Sequence, residues 1–206
     1  MMENELLKVF DQQGNWIGIE TRSEVHKAGH WHETFHCWLT ERIGNKDYLF
    51  FQVRSSVKND YPNLLDITAA GHILANESHV DGLREVKEEL GIDLALEDLH
   101  SLGIIKDSLN SPGFIDNELC HVFLYDQHQS FDNYSLQTEE VSGIMMAELT
   151  DFENLWFGKV QKVIVEGFLV SGDNEKKLHS MIVTKNDFVP HENTYIESVI
   201  EAIKKL

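Results

Sequence analysis

The stretch Gly71-His-Ile-Leu-Ala-Asn-Glu77-Ser-His-Val-Asp-Gly-Leu-Arg84-Glu85-Val-Lys-Glu88-Glu89-Leu-Gly91-Ile92 decides how this chain is read. Its second half predicts a helix that opens at Ser78, a capping residue, with Asp81 near the positive end, and runs to about Leu90. Gly91 suits the left-handed residue that closes such a helix. Glu85 stands three residues from Glu88 and four from Glu89, so three carboxylates share one face. Like charges at that spacing repel unless a cation neutralises them, and hard oxygen ligands suit Mg²⁺ or Mn²⁺. Arg84 is placed to pair with a carboxylate and hold the cluster in shape. Leu83, Val86 and Leu90 form the apolar stripe that docks on a sheet, and Gly71 permits a sharp turn or a close approach of the backbone. A Glu-rich helix alone reads as a solvated face; the residues around it must decide.

Outward from this segment the chain reads first as β. Leu6–Phe10 and Trp16–Glu20 flank a polar turn, Phe35–Leu39 and Tyr48–Val53 flank another, and Asp66–Ala70 reads as a buried strand leading into Gly71. Leu102–Lys106, Leu119–Tyr125 and Gly143–Leu149 continue the strand pattern. From Asp151 the periodicity turns helical, with Val160, Val163, Ile164, Gly167 and Phe168 at three- and four-residue steps. A capping box, Thr194 to Glu197, opens a last helix carrying Ile196, Val199, Ile200 and Ile203 on one face. The aromatic pair Trp156-Phe157 reads as core. The expected fold is α+β, a mixed α/β/α sandwich over residues 1–150 including the N-terminal hairpin, with a helical extension over 151–206 packed on the same unit.

The chain has 206 residues, and 17 basic against 35 acidic side chains give a formal charge of −18. Such a surface repels nucleic-acid backbones, and a phosphorylated small molecule is accommodated only where a metal or local basic patch offsets the field. No apolar run reaches a membrane span, and the N-terminal residues lack the basic and apolar regions of a signal peptide. Three prolines (Pro62, Pro112, Pro190) and no linker favour one cooperative unit. Cys37 and Cys120 are too few for a disulfide framework, and Cys120 reads as a small buried hydrophobe. A reduced, cytoplasmic protein, monomer or homodimer, is expected.

The segment resembles the Nudix box, G-x5-E-x7-R-E-U-x-E-E-x-G-U, where U is aliphatic. Arg84 to Ile92 matches its second half throughout, and Gly71 and Glu77 match the first. Six residues rather than seven separate Glu77 from Arg84, and Asn76 stands where the family commonly has glycine. The resemblance implies that Glu85, Glu88 and Glu89, with Glu77, bind divalent metal in a hydrolase acting on a small diphosphate, with Glu118 or a box glutamate as general base. Arg54 and Lys58 are the corresponding phosphate-binding cations, with Gly71 beside them.

Beyond the box, over about residues 5–150, the chain is similar to the branch containing isopentenyl diphosphate isomerase. His26 and His32 before Trp38-Leu39, Arg54-Ser-Ser-Val-Lys58 before Tyr61-Pro62, and Asp116-Asn-Glu118 carry the likeness. It implies a metal set of His26, His32, His72, Asp116 and Glu118; His30, His36, His79 and His121 are left as surface or core residues. The isomerase cysteine before the box Gly-His is Ala70 here, and a methyl group cannot move a proton, which disfavours the isomerase. A non-catalytic metabolite-sensing module is the other alternative, and the intact run of box carboxylates opposes it.

Overall fold

The computed structural model describes residues 4–111, 114–128, 130–172 and 174–206, so Pro112 lies outside the described residues. The long strand β3 (Trp31–Ile43) is the organising element. Along its middle, His32, Thr34 and His36 alternate with Phe35, Cys37 and Leu39, so a period of two sets the polar residues apart from a run of apolar ones. The remaining strands are β1 (Leu6–Phe10), β2 (Trp16–Thr21), β4 (Lys46–Arg54), β5 (Leu65–Ile67), β6 (Ala69–His72), β7 (His100–Ser111), β8 (Phe114–Asp126), β9 (Val141–Glu148), β10 (Val163–Val170) and β11 (Lys176–Val183). The sheet runs β11-β10-β9-β4-β3-β1-β2, with β5 on β4, β6 and β8 on β3, and β7 on β8. β3 and β8 pair in parallel, His32 opposite Glu118 and Thr34 opposite Cys120; the other side of β3 pairs antiparallel with β6, Thr34 opposite His72 and His36 opposite Ala70.

Among the described residues four α-helices complete the fold: α1 (Arg22–Ala28), α2 (Arg84–Leu90), α3 (Leu149–Trp156) and α4 (Asn193–Ile203). Phe35, Leu39 and Phe50 pack with Val86 and Leu90 of α2. On the other side Trp38, Phe51 and Leu49 pack with Phe152 and Trp156 of α3 and Tyr195, Ile196, Val199 and Ile203 of α4. At about 1.5–3 kcal/mol for each fully buried large apolar side chain, these two layers supply the main cohesion. This is the mixed α/β/α arrangement expected from the sequence.

Three local expectations are corrected. Val160–Phe168 is not helical: Val163, Ile164 and Val165 lie in β10, whose burial alternates in and out. β-branched side chains favour a pleated strand, and their three- and four-residue spacing coincided with a helical period. Among the described residues beyond Asp151, the helices are α3, α4 and a 3₁₀ turn at Lys185–Asp187, and β10 and β11 extend the sheet. Ser78 does not cap the box helix, since its N–H and hydroxyl both donate to Asp81 (2.8 and 2.7 Å). Asp81–Leu83 forms a 3₁₀ turn and α2 begins only at Arg84. A 3₁₀ turn rises about 2.0 Å per residue against about 1.5 Å for an α-helix, so it spans the approach to α2 with fewer residues. Likewise α4 opens at Asn193 after Glu192, leaving Thr194 inside the helix rather than at its cap. Trp156 is buried as expected, while Phe157, expected in the core, is exposed.

Candidate functional site

A cleft of about 190 Å³ opens where β6, α2, β8 and the end of β4 meet. Its lining includes Gly71, His72, Arg84, Glu85, Glu89, Asp116 and Glu118, and also Arg54 and Lys58. Glu77 and Glu88 do not line it, and His26 and His32 stand behind the wall that Asp116 and His72 form.

The box helix is held against the sheet by Arg84. Its guanidinium donates to both oxygens of Glu77 (2.8 and 3.1 Å), to Glu85 (2.6 Å), to Glu88 (3.2 Å) and to the His72 carbonyl (3.2 Å). Those five contacts engage every donor that an arginine has, so Arg84 shapes the site. Glu77 also accepts from the Leu74 backbone (2.9 Å), which ties the loop to the helix. The Glu85 carboxyl packs directly over Gly71, where an added Cβ would come within 2.2 Å of it. Glycine at this position makes room for that carboxylate. Gly91 takes a φ of 73° and ends α2 as expected.

Glu89 is buried and its Oε2 accepts from the Ala70 N–H (3.1 Å) and the Gln52 amide (3.4 Å). Burial, with Glu85 beside it, pushes the Glu89 carboxyl up to about 8. Burial, despite the Arg84 cation, pushes Glu85 up to about 7. Burial is the leading cause in both, with repulsion between the neighbouring carboxylates adding to it.

Opposite them, His26, His32, His72 and Asp116 each bring a ligand atom within 4.8 Å of the others. Asp116 Oδ1 stands 3.4 Å from His26 Nε2 and 3.3 Å from His32 Nε2. Neither contact has hydrogen-bond geometry, and His26 Nε2, His32 Nε2, His72 Nε2 and Asp116 Oδ1 are all buried without a partner. Four such atoms facing one point are costly unless a shared cation satisfies them. The His32 Nδ1–H donates to the His30 carbonyl (3.2 Å), which leaves the Nε2 lone pair pointing inward, as in metal-ligating imidazoles. Burial holds His32 and His72 below the ordinary imidazole range, so both rings are neutral and competent as ligands. Asn117 buttresses this group by donating to the Gly29 carbonyl at the end of α1 (2.8 Å). Glu118, the fifth expected ligand, instead meets His36 (3.3 Å) and Cys120 (3.7 Å) beside that cluster.

Arg54 and Lys58 reach the cleft already paired. Arg54 donates to Asp66 (2.7 Å) and to the Asp60 carboxylate (2.8 Å), and Lys58 donates to Glu140. Two carboxylates on Arg54 leave it a charge-balanced wall more than a free phosphate clamp.

Several site residues were not legible in the sequence. His191, from the segment before α4, lines the cleft and bonds Asp107 through Nδ1 (2.6 Å) and Asp66 through Nε2 (2.8 Å). Burial alone would lower its affinity for a proton, but the two aspartates prevail and raise it to about 10. His36, read as surface or core, lines the cleft as well. No spacing links His191 to partners 84 and 125 residues away, so no sequence signal marked it. His36 had one available signal, its place two pleats along β3 from His32 on the same face.

Among models of known protein families, none matches the chain. An uncharacterized Nudix hydrolase of Clostridium acetobutylicum is 41% identical over 202 residues, covering 98% of each chain. The chain belongs to the Nudix hydrolase family. Nudix hydrolase 3 of Arabidopsis thaliana is 30% identical over 159 residues, 74% of this chain and 20% of the plant protein. A solved structure from Deinococcus radiodurans superposes with a TM-score of 0.56 at 18% identity, over 72% of this chain and 86% of that one, and supports the fold. As a Nudix hydrolase the chain also has, among the described residues, no helix long and apolar enough to cross a membrane.

Proposed function

We propose that the cleft binds a small molecule carrying a diphosphate together with Mg²⁺ or Mn²⁺, and hydrolyses the pyrophosphate bond. The observation that carries this reading is the set of four partnerless buried atoms on His26, His32, His72 and Asp116, of which His72 and Asp116 line the cleft that also holds Glu85 and Glu89. Divalent ions held there would neutralise phosphate charge and acidify water.

The chain's own part follows from its geometry. Glu89 keeps Oε1 available because Ala70 and Gln52 occupy Oε2. Glu85 is fixed by Arg84 on one side and Gly71 on the other. Glu118 or a box glutamate takes the proton of the attacking water, whose oxygen bonds to phosphorus as the bridging P–O bond breaks. Arg54 and Lys58, held by their carboxylate partners, line the wall along which the second phosphate lies. Glu77 and Glu88 act on the cluster through Arg84. Both free thiols, Cys37 and Cys120, are buried, which fits a reducing cytoplasmic setting.

A panel of nucleoside diphosphate derivatives and other X-linked diphosphates, incubated with Mg²⁺ or Mn²⁺ and scored for phosphate-bearing products, tests the reading. Chelation should abolish turnover while circular dichroism shows the fold intact, and Glu89→Gln should lower kcat by roughly 10²- to 10³-fold with little change in KM. Turnover persisting in metal-free protein overturns the metal requirement. Conversion of isopentenyl to dimethylallyl diphosphate without phosphate release selects the isomerase, which the histidine cluster favours and Ala70 opposes.

A further inference from the structure

The C-terminal helix α4 reaches the candidate site through one buried side chain. Tyr195 is fully buried, and its hydroxyl lies 3.0 Å from Trp38 Nε1 and 2.8 Å from His36 Nδ1. An indole N–H can only donate, so the tyrosine oxygen is the acceptor there. If His36 also donated, the hydroxyl proton would be stranded in the core, at a cost that buried donors rarely bear. The hydroxyl therefore donates to His36 Nδ1, and the imidazole carries its proton on Nε2. That Nε2–H stands 3.3 Å from Glu118 Oε2, a polar contact without full hydrogen-bond alignment, and the Cys120 thiol donates to the same oxygen at 3.7 Å. Glu118 Oε1 receives no donor among the described residues.

The geometry points to Tyr195 and His36 as positioning residues that hold Glu118 with one carboxylate oxygen occupied and the other presented to the cleft. The proposal rests on Glu118 being a residue of the reactive site, and it gives the C-terminal segment a part in catalysis. A fixed tautomer and a fixed carboxylate rotamer remove the search for the productive orientation at the moment of reaction. Trp38 completes the line by locking the tyrosine oxygen.

The test reads the tautomer and the kinetics separately. Nitrogen-15 NMR of the histidine-labelled protein should show His36 with a protonated Nε2 and a bare Nδ1. Tyr195→Phe should free that ring to reorient, broadening its nitrogen-15 signals, and lower kcat for the diphosphate substrate by about tenfold at unchanged KM. His36→Gln, whose amide nitrogen replaces the Nε2 donor, should retain several-fold more activity than His36→Leu, and near-ultraviolet circular dichroism checks folding of each. A His36 ring protonated on Nδ1 in the parent protein overturns the proposal, as does a Tyr195→Phe protein with unchanged ring signals and kcat. Where the parent protein hydrolyses no diphosphate, the hydrolase reading fails while the NMR result still decides this one.

Discussion

Two buried histidine–aspartate groups border one cleft and are bonded in opposite ways. His191 sits between Asp66 and Asp107 with both ring nitrogens bonded, and Arg54 adds a second cation on Asp66. His26, His32 and His72 surround Asp116 with three ring nitrogens and one carboxylate oxygen bonded to nothing. The first group is self-neutralised, since its carboxylates hold the imidazole charged. The second holds two of its imidazoles below their ordinary range, because burial outweighs Asp116 and Glu118 at His32 and is reinforced by Arg22 at His72. Residue type therefore does not separate a structural lock from a cation site. The count of satisfied atoms and the direction of each proton affinity do.

The largest effect expected from that contrast is on the lock. His191→Asn leaves Asp66 and Asp107 facing each other with one charge fewer between them, and urea unfolding should show a loss of about 3–5 kcal/mol. The same group fixes a pH dependence. A histidine raised from about 6.5 to about 10 contributes stability that is complete below the unfolded value and is lost as pH rises through 10. Asp66 and Asp107 are buried, which alone would raise them, but His191 holds both below the ordinary range, so their share is lost as pH falls below about 4. Unfolding free energy should thus decline on both sides of a plateau at about pH 4–6.5 and, above it, decline less in His191→Asn.

The proposed cation site should respond to ligand instead. Mn²⁺ at a hundred times its dissociation constant should stabilise the protein by about 2.7 kcal/mol, read as a rise in Tm, and Asp116→Asn should remove most of that gain. A parent protein whose Tm ignores Mn²⁺ and Mg²⁺ would break the comparison. A smaller effect belongs to Gly71→Ala, which forces the Glu85 carboxyl away from β6. Turnover should fall about tenfold while the Mn²⁺-induced rise in Tm from the histidine cluster persists, which separates the two halves of the cleft. Smallest of all, Asp116→Asn in metal-free protein should change unfolding free energy by less than about 1 kcal/mol, because the carboxylate it replaces makes no hydrogen bond through Oδ1.

The box was legible because its chemistry is local: Glu85 and Glu89 lie on one turn, and Gly71 precedes them by a short loop. The histidine set was legible as positions in a resemblance, and four of its five members converge. Glu118 stands apart because the pleat carries it one residue pair beyond Asp116, toward His36. β10 was misread because Val163, Ile164, Gly167 and Phe168 satisfy a helical period by position, while β-branching and the open edge of β9 made the strand. His191 and Tyr195 gave no warning, since their partners come from β3, β5 and β7.

The sequence by itself determined the carboxylate-bearing helix, the alternation that gives β3 a polar and an apolar face, and a charge that demands cations beside any phosphate. These depend on periodicities of a few residues, which the backbone enforces locally. Only the tertiary structure decided which histidines lack partners, which cations are already paired, and that the C-terminal helix reaches the site. Those outcomes depend on contacts across many tens of residues, such as Tyr195 on His36 and His191 on Asp66, where the nearest donor or acceptor is set by packing and by nothing in the neighbouring sequence.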